Sequence, residues 1–123
     1  MSRGQLLEVA RGLEYLHSMD VVHKNVKSVR LLLRPFHRIL TFSQTNILVD
    51  AHGHAHLGGL GVALLRSDTP GVDIDRFFHG AAPELVDHEG FGFTDTGATK
   101  ASDVYAFGVL AWEVSIETAV CSQ

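Results

Sequence analysis

Cysteine is almost missing: Cys121 stands alone in a chain of 123 residues. A single thiol excludes an intramolecular disulfide, and a reducing compartment, the cytoplasm, is the matching expectation. Proline is scarce, at Pro35, Pro70 and Pro83. Positive charge is in deficit, with a formal net charge of −4, which removes any general electrostatic reason to expect nucleic-acid binding. Long apolar runs are lacking as well. Glu8, Arg11 and Glu14 break up the N-terminal stretch, so it reads as neither a signal peptide nor a membrane span. No internal repeat is present.

What is there is globular in balance: 46% hydrophobic and 20% charged residues, in a length suited to one domain. The charge is unevenly placed. Arg30, Arg34 and Arg38 fall within residues 29–44, which hold no acid, so the rest of the chain carries seven basic and fourteen acidic residues. Residues 4–18 show helical spacing, with Leu6, Leu7, Ala10, Leu13 and Leu16 or His17 near one face. Val21-Val22 predicts a short buried strand and Ile47-Leu48-Val49 a second, which returns through the turn residues Asp50-Ala51-His52-Gly53 to Ala55-His56-Leu57. Residues 62–98 read as a long loop with a short helix after Pro83, and so long a loop usually has a function. Residues 101–116 are apolar almost all round, which predicts a buried helix with Phe107 and Trp112 in the core. Asp103 stands near its start, where a carboxylate suits the helix dipole.

Six segments, in order, resemble the large lobe of protein kinases. LLEVARGLEYLHS is similar to the helix before the catalytic loop. VVHKNVKS and TNILVD resemble the two halves of that loop, H-R-D-L-K-x-x-N in the family. AHLGGLG sits where the metal-binding D-F-G belongs, Ala82-Pro83-Glu84 reads A-P-E, and DVYAFG resembles the opening of the lobe's central helix. Each is weak alone; their shared order and spacing carry the resemblance. Lys27 matches the loop lysine of Ser/Thr and tyrosine-kinase-like branches. The implied fold is α+β and mostly helical, a truncated kinase-like C-terminal lobe with a small β-hairpin. It spans residues 1–28 and 45–114, with an insertion at 29–44 and a divergent tail at 115–123.

The resemblance implies Mg-ATP-dependent phosphoryl transfer, which is largely positioning and charge stabilisation. The residues at the key places do not suit it. Asn25 takes the place of the catalytic-base Asp, and a carboxamide is not a useful proton acceptor near neutral pH. Gly59 takes the place of the metal-binding Asp and offers no side-chain oxygen to Mg²⁺. Asn46 matches the other metal ligand but stands alone. No Gly-rich phosphate loop or strand lysine precedes the segment. The expectation is therefore an inactive, pseudokinase-like fragment with a binding or scaffold role and with no cofactor and no metal of its own; the alternatives are an incomplete gene model of an ATP-binding Ser/Thr-type kinase and a non-functional product of an intron-retaining transcript. The retained positions read as structural. His23 packs beneath the D-F-G turn, Asp103 braces the catalytic-loop backbone, and Glu84 lacks its usual downstream arginine. Lys27 matches the catalytic lysine that the resemblance implies would contact the transferred phosphate in an active relative; here a solvated lysine is the favoured reading. Ser67 and Thr69 lie where the family is phosphorylated, but Lys24 replaces the arginine that would receive the phosphate and is a poorer bidentate partner.

Residues 29–44, VRLLLRPFHRILTFSQ, interrupt the loop motif. Removing these sixteen residues restores the eight-residue spacing from His23 to Asn46. Sixteen codons preserve frame, Val29-Arg30 permits a splice donor, Leu40-Thr41 a branch point and Gln44 an acceptor, so a retained intron is the leading expectation. The alternative is a basic amphipathic helix for a membrane or a partner's groove. Pro35 opposes it, because proline inside a helix costs ~3 kcal/mol. His52, His54 and His56 could place three imidazoles on one side of a strand for zinc, unless a turn at Gly53 spoils the alignment. The apolar last helix predicts another protein covering it, or aggregation when expressed alone.

Overall fold

The computed structural model describes residues 1–26, 46–60, 80–87, 89–92 and 97–121. The insertion at 29–44, Lys27, Ser67 and Thr69 lie outside the described residues. The elements run in the order α1 (Arg3–Ser18), β1 (Ile47–Val49), β2 (Ala55–Leu57), α2 (Pro83–Val86) and α3 (Lys100–Cys121).

Helix α1 begins with a capping box. The Ser2 hydroxyl accepts from Gln5 N, and Gln5 Oε1 accepts from Ser2 N, satisfying donors that the first turn cannot. It ends in a left-handed residue, Asp20 at φ 58°, with Val21 N donating to Leu16 O and Asp20 N to His17 O, the bond pattern of a Schellman stop. That stop turns the chain straight into the loop, and Val21-Val22 forms no strand. A two-residue apolar pair cannot become a strand without a neighbour for its backbone, and the helix-ending bonds already engage Val21 N.

Strands β1 and β2 form an antiparallel hairpin in the register Ile47↔Leu57, Leu48↔His56, Val49↔Ala55. Gly53, at φ +88°, supplies the left-handed turn conformation. The hairpin packs on α1, where a Cβ at Gly12 would stand 3.4 Å from the Leu57 Cβ, so glycine permits the close approach.

Helix α3 is capped reciprocally: Thr99 N donates to Ser102 Oγ and Ser102 N to Thr99 Oγ1. Its core face steps by four through Ala106, Leu110 and Val114, meeting Val9 and Leu13 of α1, Val26 of the loop and Ala55 of β2. Burial of a Leu or Val side chain contributes ~1.5–3 kcal/mol, so this one cluster supplies most of the apolar stabilisation among the described residues. Two expectations for this helix are corrected. It is buried along one face only, and Trp112 is 62% exposed; Phe107 packs partly buried against the cluster. No helix among the described residues is long and apolar enough to cross a membrane.

Candidate functional site

Where α1 stops, the chain turns inward, and residues 23–26 thread between α1, the hairpin end and α3. Lys24 takes a left-handed conformation, φ 69°, an uncommon state for a residue with a Cβ. Asp103 holds it there. Its carboxylate, 2% exposed, accepts from His23 N at 2.7 Å through Oδ2 and from Lys24 N at 2.8 Å through Oδ1. His17 Nε2 donates to Oδ2 at 2.9 Å. Asp103 thus faces the loop and joins it to α1 and α3, while the helix's own first turn is served by Thr99 and Ser102. His17 is the member that sequence reasoning missed. Helical spacing places it only near an apolar face; its position in the last turn of α1, beside the loop, is the signal that could have found it.

His23 is fully buried. Its Nδ1 accepts from Asn25 N at 3.2 Å, which places the ring proton on Nε2, and Nε2 donates to Gly58 O at 2.7 Å. The imidazole therefore bridges the loop and the hairpin exit. Asn46, 3% exposed, makes a second bridge: its Nδ2 donates to Asn25 O at 2.7 Å, and its carbonyl accepts from Gly58 N at 2.7 Å. Asn25 is buried, and its Oδ1 has no hydrogen-bond partner among the described residues. Gly59 follows at φ +85°, and a Cβ there would overlap the Asn46 carboxamide. His23, Asn25, Asn46, Gly59 and Asp103 are thus brought to one place. Glu84 lies apart, half-buried in the first turn of α2, with no ion pair among the described residues.

At positions 25 and 59, where the family's phosphoryl transfer needs carboxylates, this cluster is neutral, and its one carboxylate, Asp103, is engaged by His17 and the loop amides. The side-chain oxygens of Asn25 and Asn46 are amide oxygens. Mg²⁺ favours near-octahedral oxygen coordination with carboxylates, and Gly59 supplies none. Among the described residues, Asn25, Asn46 and Gly59 do not fit a magnesium nucleotide. Among the described residues no group of three or more His, Cys, Asp or Glu could hold a metal ion.

The three closely spaced histidines separate. His54 Nδ1 meets Glu8 Oε1 at 2.6 Å, and Glu8 Oε2 accepts from Ala55 N at 2.7 Å. His56 Nε2 meets Asp50 Oδ2 at 3.1 Å. His52 enters through its backbone N–H, which donates with His54 N to Asp50 Oδ1. The turn at Gly53 divides the imidazoles between two carboxylates. The Ala55 N–H and then the His54 contact lower the Glu8 pKa. The His56 contact and the backbone bond from His54 N lower Asp50 to about 2. Glu8, by hydrogen bond and charge, raises His54.

The family model described as protein tyrosine and serine/threonine kinase matches residues 4–121. The chain belongs to the protein kinase family. It is similar to the receptor-interacting serine/threonine-protein kinase 3 of Rattus norvegicus, 32% identical over 117 residues, covering 89% of this chain and 20% of that protein. It is 27% identical over 109 residues to the serine/threonine/tyrosine-protein kinase HT1 of Arabidopsis thaliana, covering 89% of this chain and 22% of the relative. The calcium/calmodulin-regulated receptor-like kinase 1 of Arabidopsis thaliana is 33% identical over 112 residues, with 88% and 20% covered. The chain therefore spans about a fifth of the length of these curated kinases. No solved structure matches it significantly. The kinase-fragment fold, about half helical with one antiparallel hairpin among the described residues, agrees with the truncated large lobe read from the sequence.

Proposed function

We propose that this kinase-domain fragment has no phosphotransferase activity and acts, in signalling, by binding. The observation that carries the proposal is the pairing of Asn25 with Gly59. The residue at the base position cannot take a proton, and the residue at the metal position lies against Asn46 with no room for a side chain. A longer protein containing this segment would still carry both residues. The single cysteine supports a reducing compartment, the cytoplasm. The test is thermal melting with ATP, with and without Mg²⁺, together with transfer of labelled γ-phosphate to a mixed protein acceptor. The expected result is no magnesium-dependent shift and no incorporation. A magnesium-dependent shift abolished by Asn46→Ala would overturn the proposal.

We also infer that residues 29–44 are a retained intron. Support comes from the meeting of the two flanks: Asn46 Nδ2 donates to Asn25 O across the interruption, so the chain leaves and returns to one place. Sequencing the transcript across codons 20–50 tests it. Donor and acceptor dinucleotides at the segment's ends and a spliced form lacking it are expected; their absence refutes it.

A further inference from the structure

We draw no further inference here: the strongest candidate, the carboxylate–imidazole cluster of Glu8, Asp50, His54 and His56 that ties α1 to the hairpin turn, lies on the surface, offers no group among the described residues that could hold a metal ion, and responds to pH only through the ion pairs already described.

Discussion

Replacing Asp103 is expected to cost more stability than any other single polar substitution among the described residues. Its carboxylate accepts two backbone N–H bonds, from His23 and Lys24, and one from His17 Nε2, all at 2.7–2.9 Å. Asp103→Ala removes all three acceptors at once. Water can reach the partly exposed His17, but the buried His23 amide is left without an acceptor and the part-buried Lys24 amide loses its partner. A buried donor without a partner costs ~1–3 kcal/mol, so the two together cost roughly 2–6 kcal/mol, a large share of a domain stability of ~5–15 kcal/mol. Asp103→Asn separates the contributions. Its one amide oxygen can serve either His23 and His17 or Lys24, while its NH₂ faces the remaining N–H, so the expected loss is roughly 1.5–3 kcal/mol. Urea unfolding reads both. At a slope of ~1–2 kcal/mol per molar, the alanine variant should unfold at least ~1 M earlier, with the asparagine variant between it and wild type. An alanine variant within ~0.5 kcal/mol of wild type, the range of an ordinary surface change, would refute the bracing role.

Other perturbations follow from the same geometry. Gly59→Asp restores a carboxylate in name, but its Cβ overlaps the Asn46 carboxamide in a left-handed backbone. A loss of ~1–3 kcal/mol and no magnesium-dependent rise in melting temperature are expected, and such a rise would contradict this. Leu110→Ala, at a core position 1% exposed, should cost ~2–5 kcal/mol in denaturant unfolding; a cost under ~1 kcal/mol would show that the cluster is not the core. The clasp between α1 and the hairpin turn should have a pH window. Glu8 is lowered from 4.5 and Asp50 from 3.8 to about 2, so their contributions are present above those ordinary values and fade as pH falls through the lowered ones. His54 is raised from 6.5, so its contribution is full below 6.5 and is lost as pH rises through the raised value. Nuclear magnetic resonance titration of Glu8→Gln should return the His54 midpoint toward 6.5; an unmoved midpoint would reject the contact.

The helices and the hairpin were legible because each carries a local signal. Apolar residues recur at helical spacing in α1 and α3, and the Asp50–Gly53 turn lies between two short β-rich runs. The capping box is legible too, its Ser2 two residues before the range 4–18 that periodicity gives and its Gln5 inside it. What could not be read was anything set by distant partners. Val21 and Val22 have strand-forming side chains, yet the helix stop redirects them. Trp112 looked like core because tryptophan is apolar, but periodicity alone cannot say which of two apolar faces finds a partner. The site residues came from motif order, and their meeting depends on contacts 80 and 35 residues apart in sequence, Asp103 to His23 and His23 to Gly58. Lys27, Ser67 and Thr69 lie outside the described residues.

The physical costs at the site explain why a family frame and a non-family chemistry can occupy the same loop. His23, Asn46 and Asp103 hold backbone groups, and removing any of them leaves buried N–H or C=O groups without partners, which penalises folding directly. Asn25 and Gly59 bear on folding differently. A carboxamide at 25 avoids burying a carboxylate where the side-chain oxygen has no hydrogen-bond partner among the described residues, and glycine at 59 relieves a left-handed backbone pressed against Asn46. Under the proposed loss of catalysis, both residues favour the folded state. Asn25→Asp should therefore destabilise this chain, because it buries a carboxylate where only an unpartnered amide oxygen stands now.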